Sequence, residues 1–165
     1  MHSFEVIGGK RLKGAIVPQG AKNEALQIIS AVLLTPEKVT ISNIPDILDV
    51  NLLISLLEEM GVKTHRQHPH TCTFQADDVD IDYLRSEAYQ KKSGRLRGSV
   101  MVAGPMLARF RKAFIPKPGG DKIGRRRLDT HIIGFGKLGA RFEYNHEDGL
   151  FHLDAPHLKG CYILL

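Results

Sequence analysis

Residues 49–66, DVNLLISLLEEMGVKTHR, decide the fold of this chain, because a helix gives way to a strand there through a single glycine. The apolar side chains recur at the spacing of a helix with one buried face: Val50, Leu53, Ile54 and Leu57. Gly61 stands where helices commonly end in a left-handed turn. The stretch therefore predicts a helix over residues 49–60, followed by strands around 62–66 and 71–75.

The same pattern returns 78 residues later, where Gly139 stands as Gly61 does in the first copy. It predicts a helix over 129–138, then a strand, a turn at 146–149 and another strand. Each copy is preceded by a helical pattern and a short strand. Before the first copy, the helical pattern covers residues 24–34 and the strand 39–44. Before the second, the helical pattern covers residues 93–113, with an interruption at Gly104-Pro105, and the strand covers 114–115. We therefore predict an α/β fold of repeated helix-strand-helix-hairpin units. A chance likeness between two α/β units is the alternative.

Length and composition are those of a folded protein of ordinary domain size. The 165 residues are 42% hydrophobic and 25% charged, which excludes wholesale disorder. No apolar run is long enough to cross a membrane, and the beginning, MHSFEVIGGKRLKG, resembles neither a signal sequence nor a transit peptide. A cytoplasmic protein is expected.

An excess of positive charge indicates an anionic partner. The formal net charge is +5, which by itself admits nucleic acid, anionic membranes and phosphorylated small molecules. Cys72 and Cys161 stand far apart, so they form neither a C-x-x-C metal pair nor a disulfide framework. Reduced thiols are expected.

Two loops carry candidate anion sites. Gly20-Ala21-Lys22-Asn23 precedes the first helix, where free backbone N–H groups, the helix dipole and a lysine all favour negative charge. An ordinary Asn23 cap beside a solvated Lys22 is the alternative. Residues 118–131, PGGDKIGRRRLDTH, combine glycines that let the backbone approach a ligand with three arginines suited to phosphate. Asp121 lies there as a proton donor or acceptor; a solvated charge run and a helix cap at Asp129 are the alternatives.

Two further patterns complete the candidates. Arg95 and Arg97 place cations near the start of a predicted helix. A metal site is suggested by the residue types of His65, His68, His70 and Cys72. However, Pro69 and the flanking strand patterns favour exposed imidazoles at a hairpin tip.

Several motifs together resemble those of the UDP-N-acetylglucosamine 1-carboxyvinyltransferase family, in order and over essentially the whole chain. They are Gly20-Ala21-Lys22-Asn23-x-Ala25-Leu26, Leu33-Leu34-Thr35, Asn43-Ile44-Pro45-Asp46, Leu48-Asp49-Val50, Arg97-Gly98-Ser99, Gly104-Pro105-x-Leu107-Ala108-Arg109, Pro118-Gly119-Gly120-x-x-Ile123-Gly124 and Leu128-Asp129-x-His131. The resemblance implies an inside-out α/β barrel of the enolpyruvyl transferase type, with helices inside and sheets outside. This chain would hold about two of the three repeat units of one domain, so the barrel is incomplete.

The resemblance also implies that the chain is the N-terminal part of a longer enzyme. The apolar end, Cys161–Leu165, agrees with that expectation, because it predicts a strand that would be an aggregation hazard if left unpaired. Residues 1–20 would belong with the missing C-terminal domain, and residues 21–165 would form part of the uridine-nucleotide-binding catalytic domain.

The implied activity is transfer of the enolpyruvyl group from phosphoenolpyruvate to the 3′-hydroxyl of UDP-N-acetylglucosamine, with release of phosphate. This is the first committed step of peptidoglycan synthesis, and in the family it uses no cofactor and no obligatory metal. The fragment alone is expected to be inactive, because the family's cleft lies between two domains.

Site residues follow by position. Lys22, Asn23 and Arg126 would bind phosphoenolpyruvate. Seven residues would bind the sugar nucleotide: Asn23, Arg97, Arg126, Arg127, Leu128, Asp129 and Thr130, although Arg127 stands where a proline is usual. Asp121 occupies the position of the catalytic proton donor, which is most often a cysteine and is the target of fosfomycin. Because a carboxylate is a poorer nucleophile towards an epoxide than a thiolate is, resistance to fosfomycin is expected.

Two other functions compete with this one. The 3-phosphoshikimate 1-carboxyvinyltransferases share the fold and chemistry, but their motif uses a Lys-Ser pair where this chain has Lys22-Asn23. A basic nucleic-acid-binding module would carry aromatic residues among its cations, yet aromatics are 7% of the chain and Trp is absent.

Overall fold

The computed structural model describes residues 3–116 and 128–164, and its helices and strands fall into two similar units. The first unit comprises α1 (Lys22–Ala31) with a 3₁₀ turn (Val32–Leu34), β1 (Lys38–Ile41), α2 (Leu48–Glu59), β2 (Lys63–His68) and β3 (Thr71–Gln75). A connection follows, made of a 3₁₀ turn (Asp82–Arg85) and α3 (Glu87–Ser93). The second unit comprises a 3₁₀ helix (Arg97–Val102) with α4 (Ala103–Phe110), β4 (Lys112–Pro116), α5 (Asp129–Lys137), β5 (Arg141–Tyr144) and β6 (Leu150–Asp154).

Each unit forms a three-stranded antiparallel sheet with its last strand in the middle. The strand orders are β1-β3-β2 and β4-β6-β5. Phe74 in β3 lies opposite both Val39 and Thr64, and Leu153 in β6 lies opposite its two neighbours in the same way. The predicted α/β repeat is therefore confirmed by topology and register.

The second helix of each unit ends in the same motif. Gly61 and Gly139 have φ angles of 95° and 99°. The N–H group after each glycine donates back into the helix, Val62 to the Leu57 carbonyl at 3.0 Å and Ala140 to the Phe135 carbonyl at 2.9 Å. This 6→1 hydrogen bond with a left-handed residue is the Schellman motif, which glycine adopts without steric penalty. The two predicted helix ends are confirmed.

The core is centred on α2, whose Leu53, Leu56 and Leu57 side chains have no exposed surface. The two units are joined across this core by polar contacts as well as apolar ones. The Arg109 guanidinium of α4 donates to the backbone carbonyls of Leu33 and Ala76 at 3.1 and 2.7 Å. Leu33 lies in the 3₁₀ turn after α1 and Ala76 directly follows β3. One arginine of the second unit therefore binds two segments of the first.

Three predictions of secondary structure are wrong. No break occurs at Gly104-Pro105, because Pro105 is the third residue of α4 and the first turn of a helix tolerates a proline, which lacks an N–H group. The helix ends instead at Arg111, whose φ angle is 66°. The helix α3 and the 3₁₀ turn before it lie outside the predicted elements. Residues 161–164 form no strand, because within the described residues no neighbouring strand pairs with them.

Two regions leave large apolar side chains in solvent. Residues 3–19 contain neither helix nor strand, and six side chains there are 78–98% exposed: Phe4, Val6, Ile7, Leu12, Ile16 and Val17. On α5, none of the residues is buried and Ile133 is half-exposed. That residues 1–20 belong with a second domain stays a prediction. None of the helices in the described ranges is long and apolar enough to span a membrane.

Candidate functional site

The beginning of α1 presents a cation at a helix N-terminus. Lys22 is the first helical residue and Ala21 the N-cap, so the predicted cap at Asn23 is wrong. Just before the helix, Gly20 lies against the loop before α2: a Cβ atom there would come within 2.0 Å of the Asn43 carbonyl oxygen. The Asn23 side chain is therefore in the first turn, exposed, and not used as a cap.

The N-terminus of α2 lies beside that of α1. The Lys22 ammonium donates to Asp49 Oδ2 at 2.9 Å, and Asp49 is the second residue of α2. The two side chains are 51% and 37% exposed. The first turns of α1 and α2 are thus linked by an exposed ion pair. Helix N-termini and lysine side chains each attract anions.

Arg97 lies next to this surface at the start of its 3₁₀ helix. The following residue, Gly98, packs on α1 so closely that a Cβ atom would lie 2.9 Å from Leu26 Cδ1. Since Leu26 is one helical turn beyond Lys22, the glycine brings Arg97 close to the beginning of α1. Arg97 is half-buried and makes no hydrogen bond or ion pair with the described residues, so its guanidinium is available to a ligand.

The remaining predicted nucleotide residues begin α5. Leu128 is its N-cap and is buried, and its carbonyl accepts from the Ile132 N–H group at 3.0 Å. Asp129 and Thr130 follow in the first turn and are exposed. Asp129 is a helical residue here rather than the cap.

Three predicted site residues lie outside the described residues: Asp121, Arg126 and Arg127. The assignments made to them are not tested by the structure. Where the described chain resumes, at Leu128, it enters directly into α5.

Two residues of the suggested metal site on the β2–β3 hairpin, His70 and Cys72, lie in defined environments within the protein. His70 places its Nδ1 atom 2.9 Å from the Ile44 carbonyl oxygen, and Cys72 is buried, which raises the pKa of its thiol. Within residues 3–116 and 128–164, no three His, Cys, Asp or Glu side chains are placed to share a metal ion.

Asp49 is the polar residue of this site to which sequence reasoning gave no role. It was visible only as the start of a helix and as part of the Leu48-Asp49-Val50 motif. Its contact with Lys22 spans 27 residues of sequence, so local spacing carries no signal for it.

Comparison with known proteins gives a family match along nearly the whole chain. The family model described as EPSP synthase (3-phosphoshikimate 1-carboxyvinyltransferase) matches residues 6–163. Proteins named UDP-N-acetylglucosamine 1-carboxyvinyltransferase are 58% identical in Bacteroides thetaiotaomicron, 57% in Porphyromonas gingivalis and 40% in Treponema pallidum, each over 165 residues. All of this chain is covered in each case, but it spans only 38%, 38% and 37% of the length of those relatives.

Two solved structures share the fold. The enolpyruvyl transferase NikO from Streptomyces tendae superposes with a TM-score of 0.72 at 26% identity, covering 94% of this chain and 33% of that protein. EPSP synthase from Acinetobacter baumannii superposes with a TM-score of 0.54 at 12% identity, covering 93% of this chain and 35% of the other, which bears on the fold alone.

Proposed function

Because the chain belongs to the EPSP synthase family, we propose that it forms the N-terminal part of a UDP-N-acetylglucosamine 1-carboxyvinyltransferase. The predicted fold class is confirmed, since the chain has part of the enolpyruvyl transferase fold. The choice of acceptor is supported by relatives at 57–58% identity that carry that name. In this proposal the missing remainder supplies the other domain, and the enzyme acts in the cytoplasm.

The proposed reaction has two steps. The 3′-hydroxyl of UDP-N-acetylglucosamine adds to C2 of phosphoenolpyruvate, losing its proton to a base, while C3 of phosphoenolpyruvate gains a proton. Loss of a proton from C3 then expels phosphate and leaves the enolpyruvyl ether. The general base and further phosphoenolpyruvate ligands would come from the C-terminal remainder, so the isolated 165-residue chain is proposed to be inactive.

The observation that carries this proposal is the placement of Lys22 and Asn23 in the first turn of α1, with Lys22 paired to Asp49 in the first turn of α2 and Arg97 on a 3₁₀ helix that packs on α1. An ammonium has three N–H donors, and Lys22 spends one on Asp49, which leaves two for the phosphate or carboxylate of phosphoenolpyruvate. Asn23 offers an exposed amide beside it, suited to the reacting sugar. Arg97, whose fork of donors matches phosphate oxygens, would contact the sugar nucleotide.

The nucleotide would extend from Arg97 towards the first turn of α5. Asp129 and Thr130 have exposed side chains there, and Leu128 is included in the proposed set by position. Arg126 and Arg127 complete the proposed set, with Arg126 also reaching phosphoenolpyruvate.

Asp121 is proposed as the proton donor to C3, and its chemistry sets a condition. At an ordinary Asp pKa of about 4, roughly 0.1% of the carboxyl group is protonated at pH 7, which corresponds to about 4 kcal/mol against the acid form. The negative charges of bound phosphoenolpyruvate and the exclusion of water both raise the pKa of a carboxyl group. Asp121 is therefore proposed to become a competent acid only when the substrates are bound.

A test needs the complete enzyme. It can be made by placing residues 1–165 in the matching stretch of the Bacteroides thetaiotaomicron relative; we refer to this protein as the joined enzyme, and the unaltered relative is its control. Phosphate release from phosphoenolpyruvate should depend on UDP-N-acetylglucosamine and should fall by at least tenfold in Lys22→Ala, about the loss of one charged hydrogen bond. Salt-dependent DNA binding by the 165-residue chain, without any response to UDP-N-acetylglucosamine by the joined enzyme, would favour a nucleic-acid-binding module.

A further inference from the structure

The ion pair between Lys22 and Asp49 links a proposed substrate ligand on α1 to the first turn of α2. The Lys22 Nζ atom lies 2.9 Å from Asp49 Oδ2. Among the described residues, Asp49 is the carboxylate that bonds Lys22, because the nearby Asp46 accepts from the Asn51 amide at 2.7 Å instead. The orientation of the ammonium therefore depends on where α2 places Asp49.

The hairpin that follows α2 holds its first turn in place. Arg66 of β2 donates to the Asn51 side chain at 3.2 Å and to the Pro69 carbonyl at 2.7 Å. The loop before α2 pairs with the same hairpin, since the Ile44 N–H group donates to the His70 carbonyl at 2.9 Å. The carboxylate of Asp49 is thus presented by a braced element rather than by a free loop.

Electrostatics allows a carboxylate at this place beside an anionic substrate. Asp49 lies in the first turn of α2, where the helix dipole favours negative charge. Its own pairing with Lys22 offsets its repulsion of a phosphate, and two N–H donors of Lys22 remain free for the ligand. Asp49 therefore repels an anionic substrate less than an isolated carboxylate at the same place would.

We propose that Asp49 is a positioning residue for Lys22, holding its ammonium where the phosphate of phosphoenolpyruvate binds. This inference rests on the proposed function. An ordinary exposed ion pair predicts a different outcome, because such pairs change an equilibrium by at most a few-fold and serve stability. If Asp49 merely neutralised the charge of Lys22, its removal would instead raise kcat/KM for phosphoenolpyruvate, because an unpaired lysine binds an anion better.

The test compares Asp49→Asn with Asp77→Asn in the joined enzyme. Lys63 and Asp77 form a matched surface pair, 2.7 Å apart and 65% and 32% exposed, on the first sheet. Misplacing a substrate ligand by 1 Å can cost about 10²-fold, so a partly displaced ammonium should lower kcat/KM for phosphoenolpyruvate about tenfold in Asp49→Asn. The KM for UDP-N-acetylglucosamine should stay unchanged, and Asp77→Asn should leave both parameters at their original values.

Three further variants keep the test decisive. In a Lys22→Ala background, Asp49→Asn should have no additional effect, because Asp49 is proposed to act through Lys22. Asp49→Ser serves as a second charge-free variant should Asp49→Asn fail to fold, and Asp49→Glu should restore more than half of the lost kcat/KM.

A fall in kcat/KM for phosphoenolpyruvate of less than about threefold, the size of an ordinary exposed ion pair, would overturn the inference. So would an increase, an equal effect on both substrates, or a full effect of Asp49→Asn in the Lys22→Ala background. If the joined enzyme has no transferase activity at all while the relative is active, the proposed function fails instead, which separates the two failures.

Discussion

At the scale of single residues, Asp121 has the sharpest chemical consequence. A carboxylate attacks an epoxide more slowly than a thiolate does, so the joined enzyme should resist fosfomycin, whereas Asp121→Cys should become sensitive to it. Mass spectrometry after incubation with the drug should show one adduct on Asp121→Cys and none on the unmutated protein. Stoichiometric labelling of the unmutated protein would contradict the prediction.

The polar residues of the candidate site that the structure describes show what a sequence reveals about a site. Lys22, Asn23 and Arg97 could be singled out because helix starts and family motifs are local patterns. The pairing of Lys22 with Asp49 could not, because packing of α1 on α2 brings them together across 27 residues. The cap at Asn23 was wrong, since Ala21 is the N-cap. The residue before it, Gly20, is in close contact with Asn43, which is distant in sequence.

At the scale of elements, two glycines with the same backbone conformation differ in their surroundings. A Cβ atom at Gly61 would lie 2.3 Å from the Asp78 carbonyl oxygen, whereas at Gly139 the nearest atom, the His157 carbonyl oxygen, is 3.1 Å away. Gly139→Ala should therefore lose about 1–3 kcal/mol, from positive φ alone, and Gly61→Ala should lose more.

Urea unfolding of the 165-residue chain measures this difference. Gly104→Ala, in α4 with no atom within 4 Å of the added carbon, is the control and should gain about 0.5–1 kcal/mol. Equal losses at Gly61 and Gly139 would show that the close approach to Asp78 has no energetic effect.

The end of α2 is also bound to α3 and to the 3₁₀ turn before it by side-chain hydrogen bonds whose contribution to stability depends on pH. The Glu59 carboxylate accepts hydrogen bonds from Lys92 and from the Tyr83 hydroxyl, and these lower the pKa of Glu59 below its ordinary 4.5. A lowered pKa in the folded state adds stability above pH 4.5, and this stability is lost as the pH falls through the lowered value.

Glu59→Gln should therefore be less stable than the unmutated chain at neutral pH, by no more than about 1 kcal/mol because the pair is exposed. The difference should shrink on acidification below the ordinary pKa. Urea unfolding at several pH values measures it, with the exposed Glu37→Gln as the control. A difference that stays constant with pH would contradict this origin.

The elements themselves were predicted where periodicity is strong. The buried stripe of α2 and the glycine after it identify a helix, its end and the next strand, and the second copy repeats them. The helix α3 was not predicted because it is short and buries only Tyr89 and Ser93. Its contacts include a hydrogen bond from the Tyr89 N–H group to the Ser86 hydroxyl and an ion pair between Lys92 and Glu59. The contact of Lys92 with Glu59 is tertiary and leaves no local pattern, whereas the Ser86 cap is a local signal that on its own is weak.

At the scale of the whole molecule, the exposed apolar segment at residues 3–19 is the feature that a longer enzyme would explain. Extended apolar surface of this kind is typical of an interface, and the proposal places it against the missing domain. Helix α5, which buries none of its residues, would likewise gain a neighbour there.

Trypsin can test that placement, because Lys10, Arg11 and Lys13 lie within the segment. Cleavage there should be fast in the 165-residue chain and much slower in the joined enzyme, since an open backbone is cut more readily than a packed one. Lys63, within the β2 ladder, is the internal control and should resist in both proteins. Equal rates at Lys10–Lys13 in the two proteins would contradict the placement.

The most direct test of the central claim is a competition between acceptors. The joined enzyme is given phosphoenolpyruvate with UDP-N-acetylglucosamine and shikimate 3-phosphate together, and the products are identified by mass spectrometry. We expect the enolpyruvyl ether of UDP-N-acetylglucosamine to be the sole product, with one phosphate released for each ether formed. Enolpyruvyl transfer to shikimate 3-phosphate, or no transfer to either acceptor under conditions where the Bacteroides relative is active, would contradict it.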